Sequence, residues 1–308
     1  MNYFDLHCDT ITKCFDTHRE LAHNDVALSL ERTTRFEKWA QLFAVWIPDE
    51  NRGESAYTYF SNVAEFFHAQ IQKNSATASF CRTREDVKKA AAAGKRATLL
   101  SIEGSAALAG SMKHLNDAKK YGVSLITLTW NGHCEAGDGC GVPNAGGLTP
   151  FGFDLVREME KLHITVDVSH LSEAGFWDVA RTAHRPFIAS HSDSKAVCPH
   201  RRNLTDDQFR EIVSGKGLVG INLCGKFLAE QSPKIADVLR HVDHLLHLGG
   251  ESVLAVGSDL DGCVMADGID SVEGMERLFL LLEKEFGHET ADRIFWKNSC
   301  RFFTENLD

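Results

Sequence analysis

No apolar run in the 308-residue sequence approaches the roughly 18 residues a membrane-spanning helix needs, which excludes a helical span. There is no excess of basic charge either. The 33 Lys and Arg are outnumbered by 43 Asp and Glu, for a net charge of −10. That balance argues against a nucleic-acid footprint and against a polybasic membrane patch. The N-terminal residues show no basic region followed by an apolar stretch, so no signal peptide is expected. No Pro/Gly/Ser-rich linker, short-period repeat or low-complexity segment divides the chain, so residues 1–308 are expected to form a single domain. The nine cysteines are odd in number and scattered, many inside apolar runs. A reducing compartment is the simpler reading, and a cytoplasmic protein follows from it.

What is present is a hydrophobic fraction of 43% arranged in a regular alternation. Strand-like runs occur at Tyr3–His7, Gln41–Ile47, Ala97–Glu103, Ser124–Trp130, Thr165–His170, Pro186–His191, Leu218–Leu223 and Val253–Asp259. Most are continuously apolar, as parallel strands buried on both faces should be. Helix-like stretches separate them. Glu54–Lys73 is amphipathic, and Thr83 caps Arg84–Ala93. Pro150 opens a helix to Leu162, Ser172 begins another, and Thr205-Asp206-Asp207 starts the next. Ile235–Leu248, Val272–Phe286 and Glu289–Asn306 complete the set. Eight strand–helix repeats predict a (β/α)8 TIM barrel, an α/β fold. The Gly-rich stretch Gly132–Thr149 reads as a long structureless loop on the side where barrels carry catalytic loops.

The chemically active residues collect at the ends of these runs. His7 and Asp9 are two apart, so on a strand both face one way while Cys8 faces the other. Such a pair offers one nitrogen and one oxygen to a divalent metal. Glu103 closes an apolar strand, where a carboxylate is costly to bury unless it is paired or binds a cation. His170 and His191 each follow a Ser at a strand end, and neighbouring strand ends in a barrel lie close enough to share an ion. Asp259 ends the last strand; Asp261, two residues on, would take its place if the register slips by two. Three carboxylates and three imidazoles at one mouth suffice for two metals with one bridging carboxylate.

The stretches Asp5-Leu6-His7-Cys8-Asp9, Ser101-Ile102-Glu103-Gly104, Leu128-Thr129-Trp130-Asn131, Val166–Ser172, Ser190-His191-Ser192, Arg202–Asp207 and Gly257–Gly262 occur in one order along the chain. In this the sequence resembles the membrane dipeptidase (renal dipeptidase) family, the M19 metallopeptidases of the amidohydrolase superfamily. The resemblance implies two zinc ions and hydrolysis of dipeptides with free termini by a metal-bridging hydroxide. It places His7 and Asp9 on one ion, His170 and His191 on the other, and Glu103 between them. It gives Arg202 the substrate carboxylate, for which a guanidinium fork is suited, and gives Asp259 the substrate amine and the proton traffic. Some members carry a His where this chain has Trp130. Either His133, in the following loop, takes over its catalytic role, or the metals alone serve, and Trp130 is expected to shape the substrate pocket. Neither the secretion signal nor the lipid-anchor tail of the mammalian members is expected.

The expected partner is therefore a small dipeptide, with no nucleic acid and no membrane; a homodimer is left open. A free-carboxylate amide such as an N-acyl amino acid is the alternative substrate, and a silent barrel used as a binding protein the alternative class. His241, His244 and His247 recur every third residue and are read as a solvated helix face.

Overall fold

A computed structural model describes residues 1–307. The barrel is built from parallel strands β1 (Tyr3–Cys8), β2 (Trp39–Trp46), β4 (Arg96–Glu103), β5 (Val123–Thr127), β8 (Thr165–Asp167), β9 (Val219–Ile221) and β10 (Leu254–Val256). They are ordered β8-β5-β4-β2-β1-β10-β9. The ring closes through residues 186–191, which bridge β8 at Ile188 and β9 at Ala189 without forming a continuous strand. All eight expected staves are therefore present, and the sixth is reduced to isolated bridges. A short strand β3 (Ala78–Phe80), not expected from the sequence, pairs with the start of β4.

Burial explains why the runs were continuously apolar: every residue of β1 is buried, as are seven of the eight in β4. Phe4, Leu6, Ala40, Leu42, Leu99, Leu125, Ile188, Leu218 and Ala255 form one cluster with Phe302, Phe303 and Leu307 near the C-terminus. A larger cluster lies between the strands and the surrounding helices.

Local signals set the helix starts. Thr83 and Thr205 form full capping boxes for α3 (Arg84–Ala92) and α7 (Asp206–Ser214), and Ser172 caps α6 (Glu173–Thr182). Thr149 caps α5 (Pro150–Lys161), with Pro150 in its first turn. Helices α1 (Thr10–Asp16) and α4 (Met112–Tyr121) follow Asp9 and Ser111, whose side chains make no cap hydrogen bond, and were not anticipated. The glycine-rich stretch is more ordered than expected. It carries a two-stranded hairpin, β6 (His133–Cys134) with β7 (Gly137–Asp138), and its Cys140 N–H donates to the His170 carbonyl. Among the described residues no helix is long and apolar enough to cross a membrane.

Candidate active site

The barrel brings His7, Asp9, Glu103, His170, His191 and Asp259 to one place, all buried. β1 and β2 change register between Asp5 and Cys8, and β1 ends at Cys8. Asp9 is therefore not a strand residue, as the sequence suggested, but the residue that opens α1. The two side chains still meet, with His7 Nε2 3.4 Å from Asp9 Oδ2. His170 and Asp259 both hold left-handed backbone, with φ of 67° and 62°. Non-glycine residues adopt that conformation only where the surroundings enforce it, often at functional sites. Gly262 is needed for a different reason: a Cβ there would run into the carboxylates of Asp9 and Asp259.

Glu103 is the centre of the group. Its Oε2 faces His7 Nε2 at 3.5 Å, while Oε1 faces His170 Nε2 at 2.8 Å and His191 Nε2 at 3.5 Å. The outer partners fix what those nitrogens carry. His170 Nδ1 is 3.0 Å from Asn131 Oδ1, an acceptor, so Nδ1 carries the proton. Ser190 Oγ donates to Asp167 Oδ2 at 2.6 Å and accepts from His191 Nδ1 at 2.7 Å. Both Nε2 atoms are then lone pairs, 3.0 Å apart and facing a carboxylate oxygen. Three electron-rich atoms converging without a proton describe a cation site. Both ring nitrogens of His7 and Oδ1 of Asp9 are buried without hydrogen-bond partners, which is costly unless something satisfies them. Imidazole nitrogens and carboxylate oxygens are the donors that divalent metals take, so the residues fit metal ions.

Electrostatics divide the three imidazoles. Burial, with Arg202 nearby, lowers His170 to about 4, and burial with His7 nearby drives His191 well below its ordinary value, so both stay neutral, as metal ligands must. Burial also lowers His7, but the Glu103 and Asp9 carboxylates outweigh it and raise His7 well above its usual range. Burial would raise Glu103, yet His7, His170 and His191 hold it well below the carboxylate range. Asp259 is raised by burial and by Glu103, partly offset by His7.

A cavity of about 350 Å³ opens onto this group. Trp46, Trp130 and Phe227 supply apolar walls, and Lys13, Asp16 and Lys226 also line it. Trp130 packs edge-on to Trp46 at 5.1 Å and lies 6.2 Å from the His170 ring. Arg202 is buried behind His191: its Nη2 donates to the His191 carbonyl at 3.0 Å, and its guanidinium lies 5.4 Å over Phe227. Its Nε has no partner. It borders a second cavity of about 190 Å³, which is also lined by His170.

One expectation is corrected and one alternative falls away. His133 does not enter the site. Its side chain is 68% exposed and pairs with Asp138 at 2.6 Å across the β6–β7 hairpin, and it does not line the cavity. Asp261 keeps its carboxylate for structure, accepting from Thr10 Oγ1 at 2.6 Å and from the Ala27 N–H at 2.8 Å. Three supporting residues were overlooked: Asn131, Asp167 and Asn222, the last donating to Asp259 Oδ2 at 3.0 Å. Asn222 and Asp167 interrupt or end apolar runs, the same signal that marked Glu103.

A barrel that gathers histidines and carboxylates around a cation site at its strand ends is the architecture of a metal-dependent hydrolase. The chain belongs to the membrane dipeptidase family, peptidase family M19, whose pattern it matches over residues 1–307. It is an enzyme of the metallo-dipeptidase class. The metallopeptidase called dipeptidase AC, of the same family, superposes with a TM-score of 0.93 at 28% identity, covering 100% of this chain and 99% of that one. A Rhodobacter sphaeroides metallopeptidase, solved with a phosphinate mimic of the dipeptide L-Ala-D-Ala, gives 0.91 at 27% identity over 100% and 99% of the two chains. An uncharacterised Klebsiella pneumoniae protein encoded in the pqqA 5′ region is 34% identical over 233 residues, 72% of this chain and 86% of that protein.

Proposed function

We propose that the protein hydrolyses the peptide bond of dipeptides bearing free amino and carboxyl termini, using two divalent ions, with zinc the ion this donor set suits. The observation that carries the reading is the division of Glu103: Oε2 faces the His7 and Asp9 pair while Oε1 faces the His170 and His191 pair. One carboxylate between two ligand pairs is the arrangement a bridged dinuclear site requires. When bound, such ions ionise water at neutral pH and polarise a carbonyl.

The chain's own residues account for the rest. Asn131 and Ser190 hold the two imidazoles in the tautomer that offers Nε2. Asp259 is steadied by Asn222 and faces the cavity, with its carboxyl raised above its ordinary value by burial. It receives the substrate's amine and moves a proton to the departing nitrogen. Arg202, with an unpartnered Nε, takes the free carboxylate. Trp46, Trp130 and Phe227 exclude water and shape the fit to the substrate side chain.

The test is a panel of L-L and L-D dipeptides offered to the zinc-loaded protein, beside their N-acetylated and C-terminally amidated forms. Hydrolysis confined to the doubly free dipeptides supports the proposal, and the L-Ala-D-Ala mimic in the Rhodobacter sphaeroides enzyme makes the L-D members the first to try. Faster hydrolysis of the N-acetylated forms would assign the site to N-acyl amino acids instead.

A further inference from the structure

Hydrolysis as derived above uses no thiol, yet two cysteines sit against the site. The sulfurs of Cys224 and Cys263 and a carboxylate oxygen of Asp259 all lie within 4.8 Å of one another. Cys224 follows β9, and Cys263 follows β10 and lines the main cavity. The thioether of Met265 lies 3.7 Å from the Cys263 sulfur.

We propose that Cys224, Cys263 and Asp259 form a separate binding site for one thiophilic cation, of the Cu⁺ or Cd²⁺ type, on the wall of the substrate cavity. Two thiolates with a neighbouring thioether select soft ions, where the imidazole and carboxylate group beside them does not. The spacing suits the task. Metal–sulfur bonds of about 2.3 Å in tetrahedral geometry put sulfurs about 3.8 Å apart, compatible with ligand atoms that lie within 4.8 Å of one another.

The frame is built, not incidental. The Gly225 N–H donates to the Val264 carbonyl at 3.0 Å and the Ala266 N–H to the Leu223 carbonyl at 3.1 Å. Cys224 and Met265 are bridged antiparallel between them, so backbone holds the two cysteine segments in register. Asn222 clamps two of the three ligands at once. Its Oδ1 accepts from the Cys224 N–H at 2.7 Å, and its Nδ2 donates to Asp259 at 3.0 Å. Cys224 is buried while Cys263 is only partly so, which gives an ion its way in from the cavity.

Binding a divalent ion releases two thiol protons to solvent and leaves two thiolates on the metal, with no change of oxidation state. It also engages Asp259, the acid proposed above for the substrate amine, so an ion here slows the peptidase. The two sites are coupled through one carboxylate.

The experiment uses the zinc-loaded enzyme in the presence of a phosphine reductant, titrated with Cd²⁺. The expected result is an ultraviolet sulfur-to-cadmium charge-transfer band that saturates at one ion per chain, with the catalytic zinc retained by metal analysis and peptidase activity falling in step with the band. Cys224→Ser and Cys263→Ser should abolish the band; Cys140→Ser, which removes another partly buried thiol, should keep it. Cys263→Ser lies in a partly exposed loop and keeps the test readable if Cys224→Ser does not fold. No band in excess Cd²⁺, a band that survives in Cys263→Ser, or a band lost in Cys140→Ser overturns the assignment. The band does not depend on catalysis, so failure here is distinguishable from failure of the hydrolytic reading, which the dipeptide panel decides.

Discussion

Glu103 Oε1 and His170 Nε2 lie 2.8 Å apart with no proton to share, because the imidazole proton is already committed to Asn131 on the other side of the ring. Two electron-rich atoms are held together this closely only where a cation belongs between them. Asn131 is what keeps the lone pair aimed inward. Asn131→Ala should lower metal affinity by about 10- to 100-fold, the usual effect of removing a partner that orients a ligand. Isothermal titration of the metal-free variant measures it, and unchanged affinity would take Asn131 out of this role.

Arg202 should matter for one end of the substrate only. Arg202→Ala is expected to cost about 1–3 kcal/mol in kcat/KM on a dipeptide, the range for a charge-assisted hydrogen bond. On the C-terminally amidated analogue the loss should be much smaller. Equal losses on both would show that Arg202 acts by holding the His191 carbonyl and Ser192 instead.

His133 points to solvent, and its substitution should be nearly silent. His133→Ala removes an exposed contact with Asp138 worth under about 1 kcal/mol and should leave kcat within about twofold of wild type. Loss of an oxyanion donor would instead lower kcat by about 10²–10³-fold. A fall of that size would mean the hairpin moves during turnover.

His241 gives the fold a pH dependence. It is fully buried, and burial lowers its imidazole to about 4. Its Nδ1 accepts from the Ser194 N–H at 3.1 Å, and its Nε2 donates to the Leu228 carbonyl at 3.0 Å, so only the neutral ring fits. The unfolded chain takes up this proton near its ordinary value of about 6.5 and the native state only near 4. The stabilisation is therefore fully present above about pH 6.5 and is lost as pH falls toward 4, by about 3 kcal/mol in all. Urea midpoints at pH 7 and pH 5 should differ less in His241→Gln than in wild type. Equal differences would show that the acid sensitivity arises elsewhere.

Much of this architecture is legible in the residues. The continuous apolar runs gave all eight staves, because parallel strands buried on both faces cannot hide their composition. Glu103, His170, His191 and Asp259 stood out as polar residues closing such runs. What stayed hidden depends on contacts distant in sequence. His241 was read as solvated because a three-residue repeat does not say which turn faces the core; the structure buries His241, pairs His244 with Asp206 and exposes His247. His133 was placed by its distance from Trp130, but Asp138, five residues on, claims its ring. Helix α4 escaped notice because Ser111 at its start makes no side-chain cap and its amphipathic face buries only His114, Leu115 and Ala118. Asn131 carries no charge and ends no buried strand to advertise it, and its role follows from the imidazole it orients.

The central claim, that Glu103 joins two ions, is tested most directly by zinc titration of the metal-free enzyme with L-D dipeptide hydrolysis as the readout. Activity should be absent without metal and should rise to its plateau at two equivalents per chain. Glu103→Gln, folded by circular dichroism, should retain less zinc than His191→Ala, because it loosens both ions where His191→Ala loosens one. Full activity in rigorously metal-free protein, or a plateau at one equivalent with Glu103→Gln binding zinc as wild type does, would contradict it.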